Sequence, residues 1–241
     1  MIGTLRQMAT RQEAERRPSG LMVALAFGIA IAAAVAVIVV AVVARRSTNA
    51  APPSPTAVVD LEGIPQAGTV LGSPYARVTL IEYADLQCPS CRAYTEAVWP
   101  AVVRQYIRPG RVKTEFRGVA FIGPDSLKAL RFVYAAGLQN RLWNLEEALY
   151  RNQGGENSGW VTDELVRRLA GEVGLNADRL FADAQSKEVT AMIVDAVAEA
   201  NAAEVHTTPS LFVEVGAAEP YFIQVGSAAE LTAALDDALS G

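Results

Sequence analysis

The pattern of apolar and polar positions divides the chain into three parts. Residues 1–20 are polar and carry Arg6, Arg11, Arg16 and Arg17. Leu21 to Ala44 then runs without a charged or strongly polar side chain. About 20 apolar residues cross a bilayer, whereas the apolar core of a cleaved signal peptide is about 7–15 long. The run therefore predicts a transmembrane helix over 21–44. Residues 45–65 follow as a linker: Pro52, Pro53 and Pro55 among small residues favour extended chain that cannot build a core. The third part, 66–241, carries the alternations of a folded domain.

Within that part, Val78–Ala84 has apolar residues on both faces and reads as an interior strand of a covered sheet. A helix is expected from Pro89 to about Ile107, kinked near Trp99 because Pro100 removes a backbone donor. Pro109-Gly110 ends it, and Arg111–Phe116 reads as a second strand running on towards Phe121. From 124 to about 205, apolar residues recur at helical spacing, as in Leu127, Leu130, Val133 and Tyr134, which predicts four or five helices. Strands are expected over Leu211–Val215 and Tyr221–Val225. A closing helix, Ser227–Leu239, has Ser227 as N-cap and Glu230 three residues on, the spacing of a capping box. The order β, α, β, helical block, β, β, α argues an α/β domain with a helical insertion at 124–205.

Charge and composition narrow the function. The net charge is −5, without a cluster of basic residues, so nothing points to nucleic acid. Four arginines precede the apolar run and two, Arg45 and Arg46, follow it. This bias favours a cytoplasmic N-terminus, with the folded domain outside the membrane. Two cysteines allow a single internal disulfide, which rules out a scaffold stapled by many bridges.

Both cysteines lie in Cys88-Pro89-Ser90-Cys91, where the first strand gives way to the helix. Pro89 suits the first helical position, since its missing N–H would have no helical partner. The free N–H groups of the first turn and the helix dipole then face the Cys88 sulfur and favour its thiolate. Cys88 is thus the candidate nucleophile, and Cys91, one turn on, the resolving thiol. An inert disulfide and half of a metal site are the other readings of such a pair. A zinc site wants four ligands, and beside the two thiols the chain has carboxylates and one histidine, His206. Strand alternation puts Glu82 on the face of Val78 and Leu80. If that face is buried, its pKa rises and Glu82 becomes a candidate proton shuttle for Cys91; a salt-bridged strand Glu is the alternative.

Gly72-Ser73-Pro74, Val78–Tyr83, Asp85-Leu86-Gln87-Cys88-Pro89-Ser90-Cys91 and Thr207-Thr208-Pro209-Ser210-Leu211-Phe212-Val213 together resemble the DsbA-like thiol–disulfide oxidoreductases, of the membrane-anchored Gram-positive type. The resemblance spans about Gly68 to Leu239. It implies a thioredoxin-like fold, a cis Thr208–Pro209 bond opposite the cysteines, and substrate contacts at Pro89, Ser90, Thr208 and Pro209. It also implies an acid at Glu82; Asp85 fits the pattern too, or caps the turn. No cofactor is implied beyond the redox-active Cys88–Cys91 pair. The expected partners are reduced, unfolded extracytoplasmic proteins and a quinone-linked membrane re-oxidase. Ser90 departs from the family's best-known members, which carry a histidine between the cysteines, so oxidation of substrates and a thioredoxin-type reductase both stay open. A tethered metallochaperone is the alternative from a different class.

Overall fold

Strand β3 (Val78–Ala84) is buried along its whole length and is the centre around which the domain forms. In the computed structural model, which describes residues 59–224 and 227–241, six strands make one sheet. The others are β1 (Gln66–Ala67), β2 (Val70–Leu71), β4 (Val112–Gly118), β5 (Ser210–Val215) and β6 (Tyr221–Ile223), in the spatial order β1-β2-β4-β3-β5-β6. Only β3 and β4 run parallel; every other pairing is antiparallel.

The sheet is covered on both faces. Val78, Leu80 and Ala84 belong to the main core, together with Leu231 and Leu235 of the closing helix, whereas Ile81 and Tyr83 join a smaller cluster with Val119, Ala200 and Val205 on the other side. Strand β4 alternates: Val112, Thr114 and Phe116 point inward, and Lys113, Glu115 and Arg117 are half-buried. At its end Gly118 allows a close approach, because a methyl group there would collide with Leu130 and Phe116.

The helices are α1 (Pro89–Ala97), α2 (Trp99–Val102), α3 (Pro124–Gly137), α4 (Leu142–Arg151), α5 (Asp163–Glu172), α6 (Ala177–Asp183), α7 (Lys187–Ala202) and α8 (Ala228–Ser240). The expected kink lies between α1 and α2 at Val98 (φ −108°), two residues before Pro100. After α2 the chain continues as a π-helical turn, Val103–Ile107. The helical block 124–205 contains the five helices α3 to α7. Three of these begin with the side-chain caps that stop the first-turn N–H groups going unpaired: Thr162 accepts from Leu165 N, Asn176 from Arg179 N and Ser186 from Val189 N. Ser227 caps α8 in the same way, accepting from Glu230 N at 3.3 Å.

Two features differ from the sequence reading. The β1–β2 hairpin was not expected, since two-residue strands are too short to carry an alternation; it pairs with β4 through Val70 and Leu71. The folded body also begins before residue 66. Leu61 and Ile64 are buried in the core, Val59 N donates to Glu147 Oε1 at 2.8 Å, and Arg108 holds the carbonyl oxygens of Asp60 and Glu62. The proline content that marks the linker ends at Pro55, and these apolar residues find a surface beyond it.

The tail at 1–20, the transmembrane helix expected at 21–44 and the linker up to residue 58 lie outside the described residues. Among the described residues no helix is long and apolar enough to cross a membrane.

Candidate active site

Cys88 is the N-cap of α1, with extended backbone (φ −69°, ψ 120°) and Pro89 next in the first turn. The strand-to-helix turn is closed by Cys88 N donating to the Asp85 carbonyl at 2.9 Å and Arg92 N to the Cys88 carbonyl at 3.1 Å. Pro89 and Ser90 are exposed beside it, and Cys91 is fully buried one turn down. Both cysteines are present as thiols.

The two sulfurs have opposed environments. Cys91 donates a hydrogen bond to the Cys88 sulfur, and further donors come from the Thr208 side chain and the backbone N–H groups of Cys91 and Ser90. Against partial burial, these hold the Cys88 pKa down at about 5. The Thr208 carbonyl, 3.2 Å from the sulfur, accepts only from the protonated thiol and so works the other way; the four donors outweigh it. Cys91 titrates far above the ordinary thiol range, first because it is buried, then because its proton is shared with the Cys88 thiolate and because the Cys88 and Glu82 charges oppose a second anion.

Thr208–Pro209 is cis and brings β5 up to the cysteines. Pro209, Thr207, Ser90, Tyr94 and Phe222 line a groove of about 540 Å³ beside Cys88, and Phe222 is exposed at its edge. His206 is exposed at the start of this loop, and among the described residues no hydrogen bond joins it to either cysteine.

Beneath the helix, Glu82 lies on the core face of β3, as alternation requires, with 1% of its surface exposed. Burial pushes its carboxyl up to about 8, and its Oε1 has no hydrogen-bond partner. Glu82 is close enough for its charge to act on Cys91.

Asp85 anchors the turn. Its Oδ1 accepts from Gln87 N (2.8 Å) and Ser126 Oγ (2.6 Å), and its Oδ2 from Phe121 N (2.8 Å) and Ile122 N (3.0 Å). The carboxylate therefore ties the active-site turn to the loop after β4 and to the start of α3. The Gln87 side chain adds bonds to Ser126 and Asn157. From α4 and the residues after it, Tyr150 donates to the Asp85 carbonyl (3.1 Å) and Gln153 to the carbonyls of Leu86 (2.9 Å) and Cys88 (3.2 Å). The structure thus brings together Glu82, Cys88, Cys91, Thr208 and Pro209, and adds Tyr150, Gln153, Ser126 and Asn157, which sequence spacing does not connect to the cysteines.

No group of three or more His, Cys, Asp or Glu side chains suited to a metal ion occurs among the described residues. Chemically, the arrangement pairs a stabilised thiolate, 8% exposed beside the groove, with a fully buried thiol one turn away. Those are the two sulfurs that thiol–disulfide exchange needs.

Comparison with known proteins extends this reading. The family model described as "Thioredoxin" matches residues 66–237. The protein named "Probable disulfide bond formation protein D" of Bacillus anthracis is 29% identical over 157 residues, covering 63% of this chain and 72% of that protein. The crystal structure of oxidised BdbD from Bacillus subtilis superposes with a TM-score of 0.65 at 22% identity, over 74% of this chain and 98% of that one. A thioredoxin-like oxidoreductase from Silicibacter pomeroyi does so with a TM-score of 0.58 at 29% identity, over 71% and 92%.

Proposed function

The chain belongs to the thioredoxin family, and on that premise we propose that it is a thiol–disulfide oxidoreductase that forms disulfides in proteins outside the cytoplasm. The observation that carries the direction of exchange is the Cys88 environment. A thiolate stabilised to a pKa of about 5 makes the reduced form favourable, and a couple whose reduced form is stabilised is a strong oxidant. Ser90 brings no positive charge, but the Cys91 thiol, Thr208 and two backbone N–H groups supply the stabilisation that a histidine would otherwise give. A reductase would require the opposite bias.

In the oxidised enzyme a substrate thiolate attacks the Cys88 sulfur, the Cys88–Cys91 bond breaks, and the two electrons of that bond leave on Cys91, which takes up a proton. The second substrate thiolate then attacks the substrate sulfur of the mixed disulfide, and Cys88 departs as the stabilised thiolate. A substrate peptide would lie in extended form in the groove beside Pro209, which Thr207 and Ser90 also line, with Thr208 and Pro89 next to it in sequence. Glu82 takes and returns the Cys91 proton. The reduced dithiol passes its electrons to a membrane protein that reduces quinone, and the run at 21–44 holds the domain at that membrane with its N-terminus inside.

The test is oxidation of a dithiol peptide by the full chain. Cys88→Ala is expected to abolish it. Cys91→Ala is expected to accumulate the mixed disulfide between Cys88 and substrate, seen as a mass adduct. An active Cys88→Ala protein would refute the assignment.

A further inference from the structure

Glu82 is not the only acid buried under the cysteines. Glu146 of α4 is 1% exposed, and α1 packs against α4. Its place on that helix is set by its neighbours. Trp143, three residues earlier, stacks on Trp99 at 4.8 Å, and Tyr150, four residues later, donates to the Asp85 carbonyl beside Cys91. Residues three and four apart share a helix face, so Glu146 sits on the side of α4 turned to α2 and the active-site turn.

The groups around it form one cluster. Glu82 enters from β3, Cys91 and Tyr94 from α1, and Tyr150 from α4 itself; each of the two tyrosines is within electrostatic reach of Glu82, Glu146 and Cys91. Glu147, next along the helix, adds a further negative charge, partly offset by Arg151 and by its hydrogen bond from Val59 N. Among the described residues no Lys, Arg or His forms an ion pair with Glu82 or Glu146. The Oε1 of Glu82 and the hydroxyl of Tyr94 lack partners in this cluster. Two carboxyl groups buried together without a cation cannot both ionise at neutral pH, and such a pair titrates as a unit.

We propose that Glu146 is a positioning residue for Glu82: its carboxyl O–H stabilises the Glu82 carboxylate, so that the two acids share one proton and together store the proton of Cys91. The store alternates between two protons and one. When Cys91 leaves as a thiolate, the doubly protonated pair gives it a proton and becomes a monoanion. When Cys91 attacks the mixed disulfide on Cys88, the Cys91–Cys88 bond forms, the other sulfur leaves with the electron pair, and the monoanion takes the proton back. One negative charge moves between sulfur and carboxyl pair, and none is created. The inference rests on the exchange reaction proposed above.

The experiment follows decay of the mixed disulfide after the reduced full chain meets oxidised glutathione, by acid quench and mass spectrometry from neutral to alkaline pH. The wild-type resolving rate should rise with an inflection near the Glu82 value of about 8. Glu146→Leu removes the donor, so the inflection should rise by about one pH unit and the neutral-pH rate fall about tenfold. Glu146→Gln keeps a donor and should restore the wild-type inflection. An inflection that is unchanged or lowered in Glu146→Leu, or not restored in Glu146→Gln, overturns the proposal. A second measurement is independent of those variants' folding: the protonated-carboxyl infrared band of Glu82→Gln. The Glu146 step should move to lower pH once the Glu82 charge is gone, and an unmoved step overturns the shared proton. A wild-type chain that forms no mixed disulfide would instead refute the exchange reaction itself.

Discussion

At the scale of single residues, function rests on the contrast between two thiols one helical turn apart. Cys88 titrates near 5, against about 8.5 for a free thiol. A group whose folded-state pKa is depressed adds stability that is fully present above its unfolded pKa and disappears as pH falls through the folded one. The stability of reduced over oxidised protein should therefore grow from about pH 5 to about 8.5, which denaturant melts of both forms would measure; a flat difference would contradict the assigned thiolate. Glu82 has the opposite sign. Its folded pKa lies above the unfolded value, so the folded state keeps a proton that the unfolded chain releases. Stability should fall as pH rises from the ordinary carboxyl range to about 8. Glu82→Gln should flatten that slope and slow the resolving step at pH 8, checked by melts and by the quench assay. The cysteines and Glu82 were legible because spacing and strand alternation alone place them. Glu146 was visible only as an acid inside the apolar face of Leu142, Trp143, Leu149 and Tyr150, a signal without a partner until the helix is packed.

At the scale of elements, strand β3 appears where apolar residues on both faces put it, and the α1–α2 break lies beside Pro100 because a missing N–H is a local property. The β1–β2 hairpin escaped such reading, since its two-residue strands exist by pairing to β4 rather than by pattern. The same holds for the contacts that hold the active-site turn, which arrive from α3, α4 and the loop after α4. Gln153 lies 65 residues from Cys88 in sequence and Asn157 lies 70 from Gln87. Asp85 fits the family's pattern in sequence or caps the turn; its four accepted hydrogen bonds make it the anchor of the turn. Asp85→Ala leaves buried donors unpaired, at about 1–3 kcal/mol each. We expect it to lower the thermal midpoint by well over 5 °C and to raise the Cys88 pKa as the turn loosens. Thiolate absorbance against pH would read the second effect, and an unshifted titration would contradict the positioning role.

At the scale of the whole molecule, the sheet delivers both halves of the site. Strand β3 leads into the cysteines, β5 leads away from Thr208-Pro209, and the two pair directly from Val78–Val215 to Tyr83–Ser210. The folded body extends upstream of residue 66, because Leu61 and Ile64 pack into the core. A chain starting at Thr56 should keep full stability, whereas one starting at Gln66 loses two buried side chains worth about 1.5–3 kcal/mol each. At this size that is a drop in melting temperature of roughly 6–24 °C; equal melting of the two would contradict the boundary. The central claim, a couple made oxidising by a stabilised Cys88 thiolate, is tested most directly by the reduction potential of Cys88–Cys91 in glutathione buffers. The potential is expected to be less negative than about −200 mV, towards the range of DsbA, and a value near thioredoxin's roughly −270 mV would rule out an oxidising couple.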